Sequence, residues 1–187
     1  NLLHKQGKFK ESAKYLKIAN DEGMKYKKSD LSLKIKHTEL YKSQKIKKTK
    51  NKNLKDSSNY VFIIGMPRSG STLLENILSL NPEVTDMGEV NFLEESIKEA
   101  KDFEDVYDLY EKKVINQFQS SIIYTDKSLF NYMYCAVISN FFPKAKIINC
   151  IRNPLDNILS IYRANFLKQS FSFSLTDISS LYVHYFE

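Results

Sequence analysis

An apolar run that breaks into a glycine-bounded loop and then into a helix pattern is the feature that most constrains this chain. The apolar run is Val61–Ile64, the loop is Gly65–Gly70, and the helix pattern begins at Ser71. A strand that leads into a helix through such a loop directs backbone N–H groups and the positive end of the helix dipole at one point. The segment therefore predicts a loop that binds phosphate or sulfate, with a plain strand-turn-helix junction as the alternative.

The spacing of this loop matches the P-loop of nucleotide hydrolases, with one difference. Gly65 is followed by four residues and then Gly70-Ser71-Thr72, so Ser71 stands where those enzymes carry a lysine. That lysine grips the terminal phosphates of a triphosphate, and the only cation in this loop is Arg68. A P-loop kinase or nucleotide hydrolase is therefore the weaker interpretation.

A second strand-to-helix junction lies near residue 150. The β-branched run Lys146–Ile151 is typical of a buried parallel strand, Asn153 is a suitable helix cap, and Pro154 has the backbone angle of a first helical turn. The pattern places Arg152 at the carboxyl end of a strand.

Ser160 follows Arg152 by eight residues, about two turns into the predicted helix. It shares a helix face with Asn153 and Asn157, so its hydroxyl and the Arg152 guanidinium are placed to converge on one phosphate. The alternative is an arginine paired with Asp156 and a serine that faces solvent.

Between and around these junctions the chain alternates strand and helix patterns. This order predicts an α/β domain with a parallel sheet flanked by helices and with ligands at the carboxyl ends of the strands, where Gly65, Asp126 and Arg152 follow. One predicted helix carries a core stripe of Val106, Tyr107, Tyr110, Val114 and Phe118. The predicted strands are 60–64, 122–125 and 146–151, and the predicted helices are 71–80, 91–101, 103–118, 128–142 and one from 154 onward.

The first 41 residues resemble part of a tetratricopeptide repeat. In that pattern Gly7 makes the turn between two helices, and Phe9, Ser12, Leu16 and Ala19 form the inner stripe of the second helix. A generic amphipathic helix shares much of this pattern. Because a repeat helix cannot bury its face alone, we expect the chain to be a piece of a longer protein.

Composition supports one domain with an arm. The chain has 187 residues, 42% of them hydrophobic, and a net charge of +6 that is concentrated in lysines between residues 42 and 59. That stretch lacks interleaved aromatic residues, so it predicts a solvated linker and no nucleic-acid binding. Cys135 and Cys150 fall in a helix and a strand pattern and predict buried thiols rather than a disulfide or a metal site.

Both junctions resemble those of sulfotransferases that use 3'-phosphoadenosine 5'-phosphosulfate (PAPS). Pro67-Arg68-Ser69-Gly70-Ser71-Thr72-Leu73 looks like that family's 5'-phosphosulfate loop, and the block from Asn149 to Ser160 looks like its 3'-phosphate site. The resemblance implies that PAPS is the cofactor and covers residues 60–187. It implies that the 5'-phosphosulfate is held by Arg68, Ser69, Gly70, Ser71 and Thr72, and the 3'-phosphate by Arg152 and Ser160.

The resemblance also implies the reacting groups. Glu89 lies 21 residues after Arg68, the separation at which protein-tyrosine sulfotransferases carry a catalytic glutamate in a Gly-Glu-Glu motif. An alignment on the glycine instead pairs Val90 with the second glutamate, and an acid that merely precedes a helix is the alternative role for Glu89. Lys127 matches the family's lysine that stabilises the transferring sulfuryl group and the leaving oxygen, and Ser69 would assist it. The alternative is that Lys127 is merely an exposed lysine at the end of a strand.

Another branch of the family uses a histidine base, but the three histidines of this chain lie outside the predicted catalytic region: His4, His37 and His184. A carboxylate base is therefore the expected type of mechanism.

The sequence thus predicts three segments: a partial repeat arm (1–41), a lysine-rich linker (42–59) and a sulfotransferase domain (60–187). The expected activity is transfer of a sulfuryl group from PAPS to a hydroxyl of a tyrosine, a carbohydrate or a small molecule, without a metal. The family normally continues beyond this point, so a weakly active chain, or an idle module whose arm binds a protein partner, is an open alternative. No membrane span is predicted, and the expected location is cytoplasmic.

Overall fold

The computed structural model describes residues 2–43, 57, 59–166 and 168–187. These residues form two compact units. The sheet unit comprises residues 38–151, and the helical unit comprises residues 1–37 together with 152–187. Most of the predicted lysine-rich linker, 42–59, lies outside the described residues.

The sheet unit alternates strands and helices, in agreement with the predicted α/β order. A 3-10 turn, Phe103–Asp105, precedes its third helix, and another, Leu129–Tyr134, precedes its fourth. The strands and α-helices are, in chain order, β1 Tyr60–Gly65, α4 Ser71–Leu78, β2 Val84–Asp86, α5 Phe92–Glu99, α6 Val106–Gln117, β3 Ile123–Asp126, α7 Cys135–Phe141 and β4 Lys146–Cys150. The helices α1 to α3 precede them in the chain and are described below.

The four strands form one parallel sheet in the order β2-β3-β1-β4. The central strand β1 pairs with β4 from Val61 to Gly65 and with β3 from Tyr60 to Phe62. Because all four strands are parallel, their carboxyl ends meet at one edge of the sheet. The loop after β1 and the segment after β3 therefore both begin at that edge, and the predicted fold class, a parallel sheet flanked by helices, is confirmed.

An aromatic cluster fills the core beside the sheet. Tyr60 and Phe62 on β1 contact Tyr110 of α6 and Phe142, which follows α7, with ring centroids 5.2–6.2 Å apart. Such pairs contribute about 0.5–1.5 kcal/mol each beyond the burial of their area. The predicted core stripe of α6 is buried at Val106, Tyr107, Tyr110 and Val114, and Phe118 packs against the same cluster.

The helical unit joins segments from both ends of the chain. Asn20 of α2 is buried and donates its side-chain amide to the carbonyl of Tyr162 at 3.3 Å. Asp30 accepts from the backbone N–H of Phe171 at 2.7 Å, and Gly23 lies against the ring of Phe173. Its helices are α1 Leu2–Lys5, α2 Phe9–Tyr26, α3 Leu31–Ser43 (which runs on past residue 37), α8 Pro154–Ala164 and α9 Leu175–Phe186.

The observed elements differ from the prediction at three places. The strand β4, predicted to be buried, lies at the edge of the sheet and exposes Lys146, Ile147 and Asn149. The predicted helix 128–142 begins as the 3-10 turn Leu129–Tyr134 and becomes α-helical only at Cys135. The three-residue strand β2 was not predicted, because its apolar pattern is too short to be distinguished from a loop.

The predicted inner stripe of α2 is only partly buried. Ser12 and Leu16 are half-buried, whereas Phe9 is 61% exposed and Ala19 is exposed. Helix α1 spans four residues, and Phe9 meets it through an edge-on contact with His4. Gly7 does form the turn between the two helices, with φ of 74°.

Both cysteines are free thiols, as predicted, but they are half-buried rather than buried. Burial raises the pKa of both the Cys135 and the Cys150 thiol. Within the described ranges, no helix combines the length and the hydropathy that a bilayer span requires.

Candidate functional site

The loop between β1 and α4, predicted to bind an anion, has two residues in the left-handed backbone region. Arg68 and Gly70 both have positive φ, 66° and 100°. This conformation costs a non-glycine residue about 1–3 kcal/mol and is concentrated at functional sites. Gly70 caps α4, and the N–H of Leu74 returns to the Gly70 carbonyl at 3.1 Å, so the helix starts directly from the loop.

Gly65 brings the loop close to the neighbouring strand. A Cβ on Gly65 would lie 2.7 Å from the carbonyl oxygen of Cys150 on β4 and 3.1 Å from Ser69 Oγ. Only a residue without a side chain fits there, so the glycine lets the loop fold back over the end of β1.

Ser69 carries an unsatisfied hydroxyl inside this loop. Its Oγ is buried and makes no hydrogen bond with any described atom. A buried hydroxyl without a partner costs free energy, and an oxygen of a bound anion would supply the missing partner. Ser71 is buried on the first turn of α4, whereas Thr72 and Arg68 are exposed.

Lys127 follows β3 and is 5% exposed, which excludes the alternative of an exposed strand-end lysine. Its backbone N–H donates to the carbonyl of Gly88 at 2.9 Å, and the N–H of Met87 donates to the carbonyl of Thr125 at 3.0 Å. The β2–β3 ladder therefore continues beyond both strands. This continuation brings the segment after β2 next to Lys127.

Glu89 lies in that segment and pairs with Lys127. The Lys127 ammonium donates to Glu89 Oε1 at 3.0 Å, and the Glu89 side chain is 69% exposed. Gly88 makes the turn before it, with φ of 65° and its N–H donating to Asp86 Oδ1 at 2.7 Å. The two predicted reacting groups are thus in contact, one buried and one open to solvent.

A third carboxyl, which the sequence did not bring to attention, lies on the other side of Lys127. Glu75 of α4 is 2% exposed, with Oε2 at 3.6 Å from the Lys127 ammonium. Its Oε1 accepts from the hydroxyl of Thr125 at 3.0 Å. Burial, with a hydrogen bond to Asp86 and repulsion by it, raises the pKa of Glu75 to about 7, against the opposing effects of Thr125 and Lys127.

One sequence signal points to Glu75. It lies four residues after Ser71, so the two share a helix face, and that face is buried. A charged residue on the buried face of a short helix needs a partner, because an unpaired buried charge is costly. Identifying the partners required the positions of β2 and β3.

Asp126, the last residue of β3, holds the backbone that carries Lys127. Its carboxylate accepts from the hydroxyl of Tyr110 at 3.0 Å, the N–H of Ser128 at 2.9 Å and the amide of Asn131 at 3.1 Å. Burial raises the pKa of Asp126 to about 6, although these hydrogen bonds act in the opposite direction. Asp126 is thus a structural anchor at the edge of the sheet.

Arg152 and Ser160 belong to the helical unit. The predicted cap of α8 is confirmed: Asn153 Oδ1 accepts from the N–H groups of Leu155 and Asp156 at 3.1 and 3.3 Å, and Pro154 is the first helical residue. Arg152 is exposed, and its carbonyl accepts from the hydroxyl of Tyr182 at 3.0 Å. Ser160 is half-buried in the same helix.

The sheet unit therefore brings together Glu75, Glu89 and Lys127 beside the helix that starts from the predicted anion-binding loop. An anion at the loop would meet backbone donors, the Ser69 hydroxyl and the start of a helix dipole. A carboxylate and an ammonium in contact can respectively accept a proton and stabilise developing negative charge. This set suits the transfer of an anionic group to a hydroxyl.

Comparison with known proteins gives the family. An uncharacterized protein of Aquifex aeolicus (strain VF5) is 29% identical over 129 aligned residues, which cover 57% of this chain and 17% of that protein. The chain thus corresponds to a small part of the length of that relative. No solved structure matches the chain significantly. The model of the sulfotransferase family matches residues 60–187, more than half of the sequence, and the chain therefore belongs to the sulfotransferase family.

Proposed function

We propose that this chain transfers a sulfuryl group from PAPS to a hydroxyl acceptor, of which a tyrosine or a carbohydrate hydroxyl is the expected kind. Membership of the sulfotransferase family supports the type of reaction. The anion-binding loop and the Lys127–Glu89 pair support the identity of the reacting groups.

The donor would be held at two places. Arg68, Ser69, Gly70, Ser71 and Thr72 would bind the 5'-phosphosulfate through loop N–H groups, three hydroxyls and one guanidinium. The unpartnered Ser69 Oγ is the observation that best fits this anion. Arg152 and Ser160 would bind the 3'-phosphate, with Arg152 supplying the charge and Ser160 a hydroxyl.

When bound, the donor supplies the sulfuryl group and departs as 3',5'-adenosine bisphosphate. Glu89 accepts the proton of the acceptor hydroxyl while the acceptor oxygen bonds to sulfur. Lys127 and Ser69 donate to the bridging oxygen, which keeps the electron pair of the broken S–O bond. Once Glu89 is protonated it no longer attracts the Lys127 ammonium, which leaves the lysine available to the departing oxygen.

The single observation that carries this proposal is the 3.0 Å contact between the buried Lys127 ammonium and the exposed Glu89 carboxylate. An accessible base meets an incoming hydroxyl from solvent, whereas a buried cation has a fixed position. The pair thus combines an accessible proton acceptor with a fixed positive charge, which are the two groups that the proposed transfer needs.

Thermal melting with ligands tests the proposal. We expect 3',5'-adenosine bisphosphate to stabilise the chain by about 2.7 kcal/mol at 100 times its dissociation constant. We expect Arg152→Ala to lose most of that shift and Arg163→Ala, an exposed arginine elsewhere on α8, to keep it.

Two results would overturn the proposal. A shift with magnesium-ATP and none with the bisphosphate would favour a P-loop kinase or hydrolase. No shift with either ligand in a folded chain would favour a protein-interaction module. Transfer of labelled sulfate from PAPS to a panel of tyrosine peptides, oligosaccharides and phenols would then identify the acceptor class.

A further inference from the structure

Two acidic side chains in contact with the candidate site have no role in the proposed reaction. Glu75 lies on α4, one turn after the loop, and Asp86 ends β2. Glu75 is the more deeply buried of the two, and Asp86 is exposed. The pair joins the helix that starts from the loop to the edge of the sheet that carries Lys127.

Glu75 and Glu89 both contact the Lys127 ammonium, but they differ in exposure to solvent. Glu89 is a solvent-exposed partner at 3.0 Å, and Glu75 is a buried partner at 3.6 Å that is itself held by Thr125. The Glu89 carboxylate becomes neutral when it takes the proton of the acceptor hydroxyl. Its electrostatic attraction for the Lys127 ammonium is then lost during the reaction. Glu75 keeps its contact with Lys127 throughout.

We propose that Glu75 is a positioning residue whose buried carboxylate keeps the Lys127 ammonium in place for sulfuryl transfer, and that the neighbouring Asp86 opposes the ionisation of this carboxylate. This inference rests on the proposed function for its catalytic consequence. Glu75 acts through Lys127 and does not itself meet the donor or the acceptor.

Burial is the largest influence on the ionisation of Glu75, and the neighbouring charges and hydrogen bonds add to it or oppose it. Asp86 on β2 repels its charge and hydrogen-bonds it, whereas Thr125 and Lys127 on and after β3 stabilise the charge. Glu89 faces the same ammonium from the segment after β2. Removing the charge of Asp86 therefore favours ionisation of Glu75, so the transition to the anchoring form moves to lower pH.

Two nearly isosteric substitutions separate these roles. Glu75→Gln retains an oxygen for the Thr125 hydroxyl but cannot attract Lys127 by charge. Asp86→Asn retains an oxygen for the N–H of Gly88 but no longer repels Glu75. Both variants keep the local hydrogen bonds, so a loss of folding is not the expected result.

Turnover as a function of pH is the first measurement. In the unsubstituted chain, kcat should rise as pH increases through about 7, because the ionised form of Glu75 holds Lys127. Asp86→Asn should move that rise to lower pH by about one unit. Glu75→Gln should remove the rise and lower kcat by about tenfold to a hundredfold, the effect of a misplaced group, with bisphosphate affinity within about threefold of normal.

The Cε resonance of Lys127, followed by NMR in lysine-labelled chain, gives a second measurement that needs no activity. Its chemical shift should change as Glu75 ionises near pH 7 in the unsubstituted chain, should change at lower pH in Asp86→Asn, and should show no such change in Glu75→Gln. Unchanged kcat and an unchanged pH profile in Glu75→Gln would overturn the proposal, as would a Lys127 chemical shift that both substitutions leave unchanged. Failure of the unsubstituted chain to bind bisphosphate would instead overturn the proposed function, with the Lys127 chemical shift still deciding whether Glu75 holds the lysine.

Discussion

Lys127 is the residue on which most of the site's electrostatics converge. Its ammonium is buried between a carboxylate that faces solvent, Glu89, and one that faces the protein interior, Glu75. Burying a lysine in this way is favourable only when its charge has partners. Its replacement therefore removes a fixed positive charge from a site built around it.

We expect Lys127→Ala to lower kcat by ~10²–10³, because one donor to the departing oxygen is lost. Release of sulfated acceptor at saturating donor measures this effect. Lys112→Ala, an exposed lysine on α6, is the matched control and should turn over normally. Turnover of Lys127→Ala equal to that of the control would show that the lysine has only a structural role.

At this scale the sequence singled out Lys127 and Glu89, the two proposed reacting groups, which the structure brings into contact, but it did not single out Glu75. The first two stand next to local signals, a strand end and a Gly-Glu motif. Glu75 depends on Thr125, 50 residues away, and on Asp86, which ends a strand too short to predict. The environment of Glu75 is therefore formed by tertiary contacts, which cannot be predicted from the residues next to it in sequence.

Among the elements, the turn from β1 into α4 is the most tightly constrained. The loop passes so close to β4 that a Cβ at Gly65 would meet the Cys150 carbonyl, whereas a Cβ at Gly70 would meet nothing within 4 Å. Both glycines have positive φ. A side chain at either position would thus strain the backbone, but only at Gly65 would it also lack space.

This contrast predicts different costs for two equivalent substitutions. Gly65→Ala should destabilise the fold by about 2–4 kcal/mol, from strain and overpacking together. Gly70→Ala should cost about 1 kcal/mol, from backbone strain alone. Urea unfolding of the two variants measures the difference, and equal costs would mean that β1 and β4 separate easily at this point.

Elements with local signals were the predictable ones. The cap at Asn153, the proline after it and the apolar run of β1 each lie within a few residues, and the predicted elements match the observed ones closely. The inner stripe of α2 was predicted from the same kind of pattern, yet Phe9 and Ala19 are exposed. Periodicity indicates which side chains share a face, and packing partners decide how much of that face is buried.

On the scale of the whole molecule, two buried carboxyls make stability depend on pH. The pKa of Glu75 is raised to about 7 and that of Asp126 to about 6, in both cases chiefly by burial. Each group therefore binds its proton more tightly in the folded chain than in the unfolded chain. Their contribution to stability is complete below the unfolded pKa values and is lost as pH rises toward 6 and 7.

We therefore expect the part of the free energy of unfolding that depends on these groups to fall between pH 5 and pH 7.5. Glu75→Gln should show a smaller fall than the unsubstituted chain, since glutamine does not titrate. Urea midpoints at the two pH values measure the effect, with Glu83→Gln as the control for loss of an exposed carboxylate. Equal falls in Glu75→Gln and in the control would contradict the assignment.

The hydrogen bond from Asn20 to the Tyr162 carbonyl also bears on the order of events during synthesis. Its partners are 142 residues apart. At a translation rate of about 5–20 residues per second, α2 waits on the order of ten seconds for the segment that completes its unit. All four strands of the sheet leave the ribosome within that interval. Helix α2 thus leaves the ribosome before the sheet does and completes its packing only after all four strands have been made.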